Sequence, residues 1–243
     1  MIDKGTRINK FLSKFGSFSR READNLINQG RVTVNNRIAE LGYSVSVNDI
    51  VKVDGEKINF KIKKNIYIAF NKPRGIVCTT DTEKEKDNII DFINFKKRIF
   101  PIGRLDKLSE GLILLTNDGE IVNKILRSRF GHEKEYLVTT NKKINKIFLK
   151  KLESGVPIMN TKTKKCETKY INEHQFKIVL TQGLNRQIRR MCEHFGYRVK
   201  KLERIRIINI NLDVSRGKWR YLNSKEIANL KKLWPFRKIY FYY

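Results

Sequence analysis

The chain has 243 residues, and its 52 Lys and Arg against 25 Asp and Glu give a formal charge of +27 with a pI near 10.1. Such an excess calls for a polyanionic partner, while 40% apolar and 10% aromatic residues can fill a core, which excludes a disordered basic tail as the whole protein. No stretch approaches the ~18 continuous apolar residues of a membrane span. The three cysteines, Cys78, Cys166 and Cys192, are odd in number and far apart, which excludes a disulfide framework or a CxxC site and fits a reducing cytoplasm.

From Arg7 to Phe15, Ile8, Phe11, Leu12 and Phe15 fall at helical spacing, and from Arg20 to Gln29 so do Ala23, Leu26 and Ile27. Ser19 with Glu22 three residues on predicts a capping box, and Gly30 a helix end. Arg20 and Arg21 then stand in a first helical turn, where two cations oppose the helix dipole unless something outside the fold uses them. Alternation at 31–35, a turn at Asn35-Asn36, and Ile50–Val53 before Asp54-Gly55 predict short strands with tight turns. A domain boundary follows near 62–64, giving a small domain over 1–62 and a larger one over 63–243. The first carries 11 basic and 7 acidic residues, the second 41 and 18, so polyanion contact cannot be confined to the N-terminus.

The string RINKFLSKFGSFSRREADNLINQGRVTVNN (Arg7–Asn36) with the strand at 50–53 resembles the small RNA-binding domain named after ribosomal protein S-four. The resemblance implies an RNA-backbone surface holding Arg7, Asn9, Lys10, Ser19, Arg20 and Arg21. Basic groups on a rigid helical hairpin can follow phosphates without reading bases.

The second region opens with strand-like Tyr67–Phe70, a turn over 71–75 and strand-like Ile76–Thr79, then a charged loop over 81–87. After 89–93 comes Pro101-Ile102-Gly103-Arg104-Leu105-Asp106-Lys107-Leu108-Ser109-Glu110-Gly111, followed by the apolar run 112–116. That run predicts a strand covered on both faces, with the polar loop 103–110 at its mouth. From spacing alone an ordinary loop salt bridge between Arg104 and Asp106 reads as well as a catalytic pair. A helix is predicted over 120–127, a strand around 132–138, and a further amphipathic helix from Arg186 through Ile188, Met191, Cys192 and Phe195 to Gly196.

Between 184 and 206, Arg186, Arg189, Arg190, Arg198, Lys200, Lys201, Arg204 and Arg206 face only Glu193 and Glu203, which reads as a surface patch. Arginine, with its rigid fork of donors, suits phosphate, and no helix shows the broad apolar face of an interfacial membrane binder. A long strand is predicted over 205–212. The last helix is expected to start at Asn223-Ser224 with Glu226 and to run to Trp234 and Pro235, followed by an aromatic and basic tail that reads as packed on the domain.

GRLDKLSEGL (Gly103–Leu112) resembles the catalytic loop of the pseudouridine synthases, and the resemblance places their catalytic aspartate on Asp106. His132–Val138 resembles their second motif and puts on Tyr136 a tyrosine that lies against the target base. A core tyrosine at a strand's start would look the same. Gly183–Met191 resembles their third, whose basic residue pairs with the aspartate, here Arg189. Asn185, Arg186, Gln187, Arg190 and Lys107 would then face RNA. The resemblance covers essentially the whole chain and lies within the RsuA/RluB/RluE/RluF branch, with KKCE (164–167), 183–197 and KKLERIRI (200–207) nearest its RluF group of large-subunit ribosomal RNA synthases. Leu108 departs from the acidic or amide residue of many relatives.

The resemblance implies an α+β fold: an S-four-type domain before a catalytic domain on a mixed, mainly antiparallel sheet flanked by helices. It implies isomerisation of a uridine in 23S ribosomal RNA by a monomer, through base flipping, with Arg104 filling the emptied position and Tyr136 stacking on the extruded ring. Isomerisation consumes no water, so one carboxylate can suffice where glycoside hydrolysis needs two. Asp106 could act as nucleophile or base. No metal or organic cofactor is expected: HExxH, GxxxxGK[ST], GxGxxG and Pro-Cys-x-x-Cys are all missing. Two other readings stand beside this one, the same chemistry on transfer RNA and a non-catalytic RNA-binding factor of the ribosome.

Overall fold

The computed structural model describes residues 5–16, 18–46, 48–59, 64–126 and 131–232. The chain divides into two compact units, Met1–Lys64 and Asn65–Tyr243.

The first unit runs β1 (Thr6–Arg7), α1 (Ile8–Phe15), α2 (Arg20–Asn28), β2 (Val32–Val34), β3 (Arg37–Ile38), β4 (Ser44–Val45), β5 (Val51–Val53) and β6 (Glu56–Lys57). The inner faces of α1 and α2, with Phe11, Leu12, Ala23 and Ile27, close on Val32, Val34, Val51 and Val53. The sheet has the order β3-β2-β5-β6, and its turns put Asn35, Asn36, Asp54 and Gly55 at positive φ. The capping box forms as its residues predict: the Glu22 amide donates to Ser19 Oγ at 3.1 Å, and the Ser19 amide donates to the Glu22 carboxylate at 2.5 Å. Ser19→Ala should therefore cost this unit about 1 kcal/mol, read as faster amide exchange across α2 in the full chain. Unchanged exchange would mean that the cap holds nothing.

The second unit runs β7 (Tyr67–Lys72), α3 (Ile89–Ile93), β8 (Phe100–Ile102), β9 (Glu110–Thr116), α4 (Gly119–Leu126), β10 (Lys134–Thr140), α5 (Lys146–Glu153), β11 (Pro157–Ile158), β12 (Thr161–Lys162), β13 (Glu167–Asn172), β14 (Gln175–Leu180), α6 (Gln187–His194), β15 (Val199–Ile207), β16 (Ile210–Asn211), β17 (Trp219–Tyr221) and α7 (Ser224–Lys232). Its main sheet has the order β13-β14-β10-β15-β9-β7-β17, with β8 on β9 and β16 on β15. All pairings in it are antiparallel except β9 with β15. The sheet is therefore mixed and mainly antiparallel, with helices packed on it.

Strand β9 is buried along its whole length. Leu112 and Leu114 pack on one side with Ile121, Ile125, Leu222 and Leu230, while Ile113 and Leu115 pack on the other with Ile68, Phe70 and Ile89. An apolar strand covered on both faces is a fixed base for the loop at its start.

Three predicted elements differ. Ile76–Thr79 is not a strand, because the edges of β7 are already taken by β9 and β17; it makes one bridge, Val77 with Asn88. The run 205–212 is not one strand: β15 begins at Val199, and at Ile208, φ 55°, the chain folds back so that Arg206 pairs with Asn211. The basic patch is not all surface. Arg189 and Arg204 are buried, Lys201 pairs with Glu110 and Glu203, and Arg206 pairs with Glu133 and Glu135. Asn223 and Glu226 do cap α7 reciprocally, at 2.9 and 2.8 Å. Arg127, Trp234, Pro235 and the tail 236–243 lie outside the described residues.

Candidate active site

Between β9 and β15 on one side and the start of α6 on the other lies a cavity of about 450 Å³, within the roughly 300–1,000 Å³ usual for small-molecule sites. Asp106, Arg104, Tyr136, Asn185, Arg186 and Gln187 all line it. The loop bearing Asp106 enters β9, Tyr136 stands on β10, across β15 from β9, and Arg186 turns into α6 with φ 50°.

The Asp106 loop is held from both flanks. On one, Lys72 is fully buried and its Nζ donates to the carbonyls of Pro73 and Ile76, at 2.9 and 2.8 Å. That fixes the segment whose Gly75 amide donates to Lys107 O, at 2.8 Å, and whose Cys78 sulfur accepts from the Leu105 amide, at 3.4 Å. Burial pushes the Lys72 ammonium down to about 8, with Asp106 among the groups opposing the shift. On the other flank, Arg189 Nη2 donates to Leu108 O at 3.1 Å and to Ser109 Oγ at 3.2 Å, while Nη1 donates to Val199 O at 3.1 Å.

Asp106 itself, half-buried between the two clamps, spends only its backbone carbonyl, which accepts from the Ser109 amide at 2.9 Å. Its carboxylate makes no hydrogen bond or ion pair among the described residues, neither with Arg104 nor with Arg189. The ordinary loop salt bridge with Arg104 is thus not formed. The pairing of Arg189 with Asp106 is also not formed, because the guanidinium is committed to the loop's Leu108 and Ser109. Burial pushes Arg189 below its usual range, and Asp106 acts on it through space in the opposite direction. Leu108 supplies its bond through the backbone, which any residue at that position could do.

Over residues 66–194 the chain matches the sequence profile of RNA pseudouridylate synthase, and over 6–51 that of the S4 domain. The chain belongs to the RNA pseudouridine synthase family. It is 54% identical over 233 residues to the dual-specificity RNA pseudouridine synthase RluF of Escherichia coli K12, covering 95% of this chain and 80% of that protein. It is 35% identical to the ribosomal large subunit pseudouridine synthase B of Bacillus subtilis, covering 93% and 96%. A crystal structure of a pseudouridylate synthase superposes with a TM-score of 0.67 at 28% identity, over 92% of this chain and 99% of that one.

In this synthase the remaining residues named from sequence fall in several places. Arg104, Asn185 and Arg186 are exposed on the cavity wall, while Gln187 is buried and its side-chain oxygen accepts from the Leu184 amide at 3.0 Å. Arg190 does not line the cavity; its guanidinium holds Asn185 at 3.1 and 3.3 Å. Lys107 is exposed and 3.4 Å from Asp87. In the first unit Arg7, Arg20 and Arg21 are exposed, Lys10 is half-buried, and Asn9 donates to Asp24 at 2.8 Å. Sequence reasoning missed Lys134 and Arg204, which also line the cavity. Among the described residues no group of three or more His, Cys, Asp or Glu could hold a metal ion.

Proposed function

We propose that the synthase isomerises a uridine of large-subunit ribosomal RNA in the Asp106 cavity, acting as a monomer in the cytoplasm. Asp106 is the catalytic carboxylate, as nucleophile or base. Arg104, exposed two residues earlier, enters the position that the flipped base leaves, Tyr136 stacks on the extruded ring, and Arg189 holds the loop in place. Asn185 and Arg186 meet the RNA at the rim, with Arg190 keeping Asn185 oriented, while Gln187, expected from sequence to meet the RNA too, is buried and instead holds the Leu184 amide beneath them. Arg7, Asn9, Lys10, Ser19, Arg20, Arg21 and Lys107 follow the phosphate backbone.

The observation that carries this reading is a single cavity lined at once by Asp106, Arg104, Tyr136 and the start of α6. The ribosomal reading draws support from the name of the B. subtilis relative, and the dual specificity named for the E. coli relative favours a second RNA, which we take to be a transfer RNA. Position-resolved pseudouridine mapping of RNA from cells with and without the protein tests both. Loss of a single 23S site together with a transfer RNA site is expected. An unchanged 23S map would sink the ribosomal assignment.

A further inference from the structure

Arg204 is 3% exposed, yet its cation has no ion-pair partner among the described residues. It sits on β15 opposite Gly111, and its Nε donates to Leu112 O at 2.7 Å. Its Nη2 is buried without a hydrogen-bond partner. The guanidinium carbon lies 6.0 Å from the centre of the Tyr136 ring, and Arg204 lines the same cavity as Asp106 and Tyr136. Two more cations stand close, Lys72 and Lys134, both of them pushed down by burial and Lys134 also by Arg204 itself. A buried charge without a partner is among the most expensive features a fold can carry. It is tolerable where the missing charge arrives with the substrate.

We infer that Arg204 is a catalytic residue, whose guanidinium receives the negative charge that the uracil carries between detachment and reattachment. The inference rests on the placement of the target uridine in the Asp106 cavity. When the C1′–N1 bond breaks, its electron pair stays on the base and spreads over N1 and the adjacent O2. Asp106 meanwhile either bonds C1′ or takes the C2′ proton. After the base turns, C5 bonds C1′ as the Asp106–C1′ bond breaks, or as Asp106 returns its proton to C2′; the C5 proton then leaves and N1 gains one, so nothing is consumed or released overall. Through the turning step the uracil is an anion in a partly dry cavity, and Arg204 is a cation fixed in that cavity's wall. A donor set in place before the charge develops stabilises it without reorganising. A phosphate of the flanking backbone is the other anion that Arg204 could meet, and it predicts a different result.

The test uses the full chain with Arg204→Met, Arg204→Gln and Arg204→Lys, on RNA from cells lacking the protein, with enzyme in excess. Met and Gln should lower the single-turnover rate about 10²–10³-fold. RNA affinity and its salt dependence should stay at wild-type values, and Arg204→Lys should recover at least about tenfold of the loss, since it restores the charge but not the fork. The melting temperature should move by only about 2–4 °C, the cost of one hydrogen bond in a chain of this size. A rate within threefold of wild type would overturn the inference. So would weaker RNA binding with a salt slope shallower by about one, which marks a phosphate contact. A failure of Met and Gln to fold would assign Arg204 to structure and overturn it too. Asp106→Asn run alongside separates the levels: if it keeps full activity, the placement of the uridine is wrong, whereas a dead Asp106→Asn beside an active Arg204→Met defeats Arg204 alone.

Discussion

Asp106→Asn should abolish pseudouridine formation, by at least about 10⁴-fold in single-turnover rate, while RNA affinity and the melting temperature stay close to wild type. The size follows from removing a group that attacks or takes a proton in the bond-breaking step, a loss no neighbour can make up. Asn can neither bond C1′ nor accept the C2′ proton. The selectivity follows from the contacts. The Asp106 side chain makes no hydrogen bond or ion pair among the described residues, and the only bond from this residue that holds the loop is its backbone carbonyl with Ser109, which Asn keeps. The clamps at Lys107, Leu105, Leu108 and Ser109 are untouched by the substitution. A substitution that costs all the chemistry and almost none of the fold is the signature of a residue held in place by others for a task of its own. Activity within tenfold of wild type would remove Asp106 from the reaction. A large loss of melting temperature would mean that its carboxylate has a structural partner after all.

The parts of this site that sequence makes legible are those written in periodicity and in the local loop. The run 112–116 is apolar at every position, which already demands a two-sided core and puts the polar segment before it at a strand mouth; the structure has β9 buried throughout, with Asp106 at that mouth. Ser19 with Glu22, and Asn223 with Glu226, announce their caps because capping is local chemistry. What stays hidden depends on which way a charged side chain turns. Arg204 and Arg206 stand two apart on one strand in a stretch rich in cations, yet Arg206 meets Glu133 and Glu135 at the surface while Arg204 is enclosed. Leu202 and Arg204, both buried, do share the period of two. That weak signal could have singled out Arg204, but a fold is needed to show that its side of β15 borders a cavity. The same holds for Arg189, whose hydrogen bonds reach across 80 residues of sequence to Ser109.

Lys72 and Arg204 stand opposite one glycine from the two neighbouring strands, which makes Gly111→Ala the substitution with the largest expected effect on stability. Gly111 has φ 100°, a conformation that an L side chain adopts only under strain. It also stands at the parallel pairing of the sheet, Gly111 opposite Arg204, where a Cβ would run into the Arg204 carbonyl oxygen and lie 2.7 Å from its amide nitrogen. Both obstacles are backbone, so no side-chain rotation relieves them; β15 has to move away from β9. Backbone strain and overpacking each cost about 1–3 kcal/mol, so the sum is about 4 kcal/mol, or roughly 8–16 °C in melting temperature. Because the displaced strand carries Arg204 and the displaced loop carries Asp106, activity in the surviving folded fraction should also fall by at least about tenfold. Thermal unfolding of the purified variant beside a single-turnover assay well below its transition checks both. A melting temperature within about 3 °C of wild type would show that the β9–β15 contact yields, and that the close approach of the two backbones is not what fixes the cavity.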